Sequence, residues 1–235
     1  MKSRQRYCKV VDQVFQRYNR YPRREEEKKV FNIASWTPRT KLGVMVKEGR
    51  ITSIEQIFKM GKTIKEVEIV DALLPGLESK TVETASVQRM TKDARKQKYR
   101  TTVIIGDKKG HVGIGVGKAT EVKPAIDEAV KDAKLHIICI ALGCGSWECS
   151  CGTAHSLPIM LRSKVGTAEI ILKPAPRGVG IVAGSTARSV LELAGIKDVW
   201  TFARGRTRDI YNMSLATYRA LESLSKIKNS EKIKA

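Results

Sequence analysis

Apolar residues recur along the chain with two periods, and the switch between them divides it. In the opening stretch Val10, Val11, Val14, Phe15 and Tyr18 fall at helical spacing, with Pro22 placed to end the helix. A second helix is expected from residue 54, with Thr52 as its N-cap and Gly61 closing it. A third runs over 65–74 and stops at Pro75 and Gly76. Alternation by two then takes over in 81–90 and 99–105, where Tyr99, Thr101, Val103 and Ile105 share one face. Asp107, Lys108, Lys109 and Gly110 compose a hairpin turn, Gly110 supplying the positive φ. In 111–117 Val112, Ile114 and Val116 occupy one face, and Gly113, Gly115 and Gly117 the other. A helix follows on Val122, Ile126, Ala129, Val130, Ala133 and Ile137, with Pro124 tolerated in its first turn. His136 and Cys139 belong to its end, Cys139 as a packing residue. Three antiparallel strands and a helix over one face make a compact α+β domain.

A second unit has its own pattern. Strands are expected over 157–162, 168–173 and 196–202. Between them lies a glycine-rich connection, 178–184, and a helix capped by Ser185 that carries Val190, Leu191 and Ala194 and ends at Gly195. A last helix, over 208–224, sets Ile210, Met213, Thr217, Leu221 and Leu224 on one stripe. The chain divides into a basic extension (1–35), a helical segment (36–78), the first α+β domain (79–143), a Cys-rich loop (144–156), a β/α domain (157–225) and a basic tail (226–235).

Charge turns this outline into a functional expectation. The 235 residues include 44 Lys or Arg against 24 Asp or Glu, a net charge of +20, while 42% are hydrophobic, enough for a core. A folded surface this basic attracts polyanions. Aromatics are only 6% of the chain, which argues against reading single-stranded bases mainly by stacking. No apolar run of about 18 residues occurs, so no membrane-spanning helix is expected, and the first residues lack the apolar stretch of a secretory signal. The five cysteines are odd in number and three lie close together, which suits reduced thiols or a metal site.

Three segments are candidates for chemistry. Lys92, Arg95, Lys96, Lys98 and Arg100 fall in or beside the connection between the first two strands, with Arg89, Lys108, Lys109, His111 and Lys118 nearby, as a finger that meets phosphates. The bare glycine face of 111–117 marks close approach, either of RNA or of packed backbone. Cys144, Cys149, Cys151 and His155 offer four ligands that can close a structural zinc site, the alternative being free thiols. Residues 174–185 (Pro174, Ala175, Pro176, Arg177, Gly178, Val179, Gly180 and onward to Ser185) resemble the phosphate loop of galactokinase- and homoserine-kinase-type enzymes. They lack a Walker A ending, and no catalytic Asp or Lys motif accompanies them.

In order along the chain, Trp36-Thr37-Pro38-Arg39-Thr40-Lys41-Leu42-Gly43, Gly110-His111-Val112-Gly113-Ile114-Gly115, Gly143-Cys144-Gly145-Ser146-Trp147-Glu148-Cys149, Pro174-Ala175-Pro176-Arg177-Gly178 and Ala194-Gly195-Ile196-Lys197-Asp198-Val199-Trp200 resemble the universal small-subunit ribosomal protein five family (called two in eukaryotes), in its archaeal form. The resemblance covers about 36–225. It implies a first domain similar to a double-stranded-RNA-binding fold and a second whose β/α fold is shared with those kinases, without requiring ATP. The function implied is that of a non-enzymatic, cytoplasmic constituent of the small ribosomal subunit, near the decoding region and the path by which messenger RNA enters. Arg39, Lys41, Lys92, Arg95, Lys96, Lys98, Arg100, Lys108, Lys109, His111 and Lys118 would meet ribosomal RNA. Arg177, Gly178 and Arg188 would lie at the contact with small-subunit protein four, and the archaeal cysteine pattern favours zinc.

Overall fold

The computed structural model describes residues 36–226. The helix expected around residues 10–18 and most of the basic tail lie outside that range. The described residues all belong to one compact unit.

The chain enters through three short helices: α1 (Lys41–Lys47), α2 (Ile54–Lys59) and α3 (Val67–Leu73). Sequence pattern alone did not indicate α1, whose N-cap Thr40 accepts from the Gly43 amide while the Glu66 carboxylate accepts from the Arg39 and Thr40 amides. The N-cap of α2 is Ser53, one residue beyond the expected Thr52. Trp36, Leu42, Val46, Ile54, Ile57, Ile69 and Val70 bury into a common layer.

Against this layer lies a four-stranded antiparallel sheet in the order β1 (Glu78–Met90), β2 (Arg95–Gly106), β3 (His111–Ala119), β4 (Ile137–Cys139). The fourth strand was not foreseen. Cys139, expected on a helix, pairs with His111 at this sheet's edge, because α4 (Val122–Leu135) ends at His136. Gly113, Gly115 and Gly117 face α4: a Cβ on Gly115 would lie 2.2 Å from the Ala133 amide nitrogen and 2.3 Å from the Ala129 carbonyl oxygen. The glycine face is therefore covered by a closely packed helix, as residues without Cβ permit.

The second sheet runs β5 (Leu161–Val165), β6 (Ala168–Pro174), β8 (Val199–Arg204), β7 (Ile181–Val182), with β7 parallel to β8 and the other pairs antiparallel. The expected strand over 157–162 thus begins later, at Leu161. Helices α5 (Ser185–Ala194) and α6 (Ile210–Ser225) complete this half, with Gly184 as the N-cap of α5 where Ser185 was expected.

The inner half of strand β2, residues 101–106, is buried on both sides. Val103 and Ile105 pack with the N-terminal helices and α4, whereas Ile104, with Val112 and Ile114 of β3, joins a core built from Leu157, Ile170, Leu172, Val190, Leu191, Leu221 and Leu224. At the turn between β2 and β3 the Lys108 amide donates to the Leu193 carbonyl at the end of α5 (3.0 Å), which ties the two sheets together a second time.

Candidate RNA interface and metal cluster

The basic finger is a ribbon. The turn between β1 and β2 comprises only 91–94, closed by the Thr91 amide and hydroxyl donating to the Ala94 carbonyl at 3.0 and 2.6 Å. Arg95, Lys96, Lys98 and Arg100 are therefore strand residues, not loop residues. Sequence pattern missed this because no apolar residue marks the strand there: cross-strand hydrogen bonds, not burial, hold it. From 86 to 98 every residue but the half-buried Thr91 is exposed, so the two strands leave the body of the sheet and stand in solvent.

Arg89 sits directly opposite Lys96 and Met90 opposite Arg95. Like charges in register repel across a sheet. Among the described residues none of Arg89, Lys92, Arg95, Lys96 or Lys98 forms an ion pair within the chain. The ribbon therefore carries cations that no acidic side chain among the described residues neutralises.

The other candidate cations are distributed elsewhere. Arg100 lies opposite Lys118 where the ribbon joins the sheet, its guanidinium over the Tyr211 ring at 5.7 Å. Arg39 and Lys41 are exposed beside the start of α1. Lys108 and Lys109 occupy the far end of the 12-residue strand β2, about 35 Å from the tip at about 3.3 Å per residue. Lys108 is paired there with Glu78 at 2.7 Å. His111 is turned inward, its Nδ1 2.6 Å from Asp107. The basic stretch that looks continuous in sequence is thus split between two ends of one strand. The structure also exposes Arg204, the last residue of β8, and Arg206 and Arg208 on the connection from it to α6. Their alternate spacing, Arg-x-Arg-x-Arg, is the signal that could have identified them.

The Cys-rich loop closes on itself. The ligand atoms of Cys144, Cys149, Cys151 and His155 all lie within 4.8 Å of one another. Cys151 Sγ is 3.7 Å from Cys144 Sγ, and Cys149 Sγ is 3.7 Å from His155 Nε2. A tetrahedron with metal–sulfur bonds of about 2.3 Å has edges of about 3.8 Å, which these two separations match. Burial and the neighbouring thiols push Cys144 up to about 11, whereas Thr153 and Cys149 bring Cys151 down to about 6. A divalent cation would favour the thiolate at every position. This Cys3His set could hold a metal ion.

Behind the cluster stands Asp198, a buried carboxylate. His155 Nδ1 donates to its Oδ2 at 2.8 Å, which leaves Nε2 free to face the sulfurs. The amides of Gly178 and Gly180 donate to its Oδ1 at 3.0 and 2.8 Å. Burial alone would raise the Asp198 carboxyl, but the Gly180 amide, the His155 ring and the Gly178 amide outweigh it and hold the group below its ordinary range. The glycine-rich loop therefore spends these two donors on a carboxylate of its own chain. That removes the amides a kinase-like loop would offer to phosphate. Arg177 and Arg188 are exposed on either side, the Arg188 guanidinium donating to the Ile181 carbonyl at 3.1 Å. Among the described residues no helix is long and apolar enough to cross a membrane.

A basic α+β chain with a protruding cationic ribbon is built as ribosomal proteins are, and comparison with known sequences agrees. Residues 77–141 match the family model for the N-terminal domain of ribosomal protein S5, and residues 163–234 match that for its C-terminal domain. The chain is 52% identical over 192 residues to small ribosomal subunit protein uS5 of Aeropyrum pernix, covering 82% of this chain and 88% of the relative. It is 52% identical over 204 residues to that of Methanocaldococcus jannaschii (87% and 94%) and 47% identical over 196 residues to that of Metallosphaera sedula (83% and 92%). The chain belongs to the ribosomal protein S5 family. The Cys3His loop falls between the two matched stretches.

Proposed function

We propose that the chain is a structural, non-enzymatic constituent of the small ribosomal subunit, working in the cytoplasm as part of the ribosome. It grips ribosomal RNA through backbone phosphates, as helical RNA is generally held by shape and phosphate contacts. The observation that carries this reading is the ribbon of 86–98, whose opposed like charges have no counter-ion among the described residues. Arg89, Lys92, Arg95, Lys96 and Lys98 make the principal contact. Arg100 and Lys118 extend it onto the sheet, while Arg39 and Lys41 add exposed charge elsewhere. Lys108, Lys109 and His111 have weaker claims, given their pairing and position. The loop with Arg177, Gly178 and Arg188 faces a neighbouring ribosomal protein, small-subunit protein four, close to the decoding region and the path by which messenger RNA enters. Cys144, Cys149, Cys151 and His155 hold a structural zinc, since four protein ligands leave no open position for water.

Replacing Arg95, Lys96 and Lys98 together by alanine tests the RNA contact. Binding to a fragment of small-subunit RNA weakens, and the slope of log affinity against log salt becomes shallower by roughly 2–3. Unchanged affinity and slope would overturn it. For the metal, elemental analysis finds one zinc per intact chain and none in Cys149→Ser; equal content in both removes it.

A further inference from the structure

Five hydrogen bonds join the Cys-rich loop to the residues just before β8 and to the glycine-rich loop, and most of them converge on Asp198. Besides its bond to the His155 ring and its grip on Gly178 and Gly180, the residue is held through its backbone: the His155 carbonyl accepts from the Asp198 and Lys197 amides at 3.2 and 3.0 Å. The Ser156 hydroxyl donates to the Asp198 carbonyl at 2.5 Å and accepts from the Ala175 amide at 3.2 Å. The side chains of His155 and Asp198 are 6% and 7% exposed. A carboxylate this deep is tolerable only while its oxygens are hydrogen-bonded. One oxygen is satisfied from the metal-ligand side and the other from the glycine-rich loop.

Resting on the zinc reading above, we infer that metal binding at Cys144, Cys149, Cys151 and His155 and closure of the 174–184 loop are linked through Asp198. Asp198 is a positioning residue. It fixes the His155 tautomer that presents Nε2 to the metal, and the same carboxylate draws the Gly178 and Gly180 amides inward. Loss of the metal frees the ring, and the loop loses the partner that orients its carboxylate. Linkage makes the effect reciprocal, so a loosened loop weakens the metal in turn.

Hydrogen exchange on the full chain, zinc-loaded and then stripped with EDTA, tests the link. Removing zinc speeds exchange of the Gly178 and Gly180 amides by at least about tenfold, while the amides of Ile104 and Val112 in the first sheet keep their protection. Cys151→Ser, which touches none of the Asp198 contacts, reproduces the stripped pattern. Asp198→Asn lowers zinc affinity by about 10–100-fold in competition with a chelator. A parent chain that binds one zinc but shows the same exchange at Gly178 and Gly180 with and without it overturns the linkage alone. So does an Asp198→Asn chain that binds zinc as tightly as the parent. A parent chain that takes up no zinc sinks the metal reading itself, and the linkage with it.

Discussion

Asp107 organises the turn between β2 and β3 through three side-chain hydrogen bonds. Its Oδ1 accepts from the Lys109 and His111 amides at 2.7 and 3.1 Å, and Oδ2 accepts from the His111 ring. Burial pushes this carboxyl up, but the Lys109 amide and the bonds from His111 together hold it below its ordinary value. A group whose folded pKa is depressed stabilises the protein above its unfolded pKa, about 3.9, and that contribution fades as pH falls through the folded value. Asp107→Asn keeps one acceptor for the amides and loses the charge. In urea it is expected to be less stable than the parent by about 1–3 kcal/mol at pH 6. The gap should narrow below about pH 4; a gap that stays constant from pH 6 to pH 3 would show that the charge contributes nothing. Gly115→Ala tests packing at the same scale. Its methyl would enter the backbone of α4, and the variant should lose at least about 1–3 kcal/mol in denaturant unfolding. A loss below about 0.5 kcal/mol would mean that α4 can shift away.

At the scale of elements, the ribbon and the Arg204, Arg206, Arg208 connection are separate cationic supports. Alanine at all three arginines should weaken binding to the RNA fragment and flatten its salt dependence on the same scale as the ribbon substitutions. The two sets are far apart in sequence and carried by different sheets, so their losses should add. If the three arginines contribute nothing, RNA meets the ribbon half alone. Elements marked by apolar periodicity were legible from sequence: β3 through its valine and isoleucine alternation, α4 and α6 through their stripes, although Ile137, expected on the α4 stripe, belongs to β4 and Val122 is exposed. Elements made by partners were not. Helix α1 contains Gly43 and is stabilised by the Thr40 cap and by Glu66, which comes from the next connection but one. The outer part of β2 is polar throughout and exists because β1 lies beside it. The Cys3His set could be read from spacing because all four ligands lie within a dozen residues. Asp198 could not, because 43 residues separate it from His155 and only the fold brings them together.

At the scale of the whole molecule, β2 and β3 serve two cores at once. Ile104, Val112, Leu191 and Leu221 are almost completely buried, and each such side chain contributes roughly 1.5–3 kcal/mol by leaving water. Removing one on the far side of the sheet should therefore be felt on both sides. Leu221→Ala is expected to cost about 2–5 kcal/mol and to lower the unfolding midpoint of the N-terminal layer, followed through Trp36, as much as that of the second half, followed through Trp200. Two separated transitions would mean that the halves fold independently.

The same shared strand constrains how the protein comes into being. The first sheet is complete in sequence by Cys139, yet the side of it bearing Ile104, Val112 and Ile114 finds its full cover only when the second half, which closes with α6 at Ser225, has been synthesised. Until then a nascent chain offers an oily surface beside a strongly cationic ribbon, a combination that invites both self-association and non-specific adhesion to nucleic acid. A polypeptide halted at residue 143 should accordingly accumulate as aggregates or on chaperones, whereas the full-length product shields that surface as soon as its last helix docks.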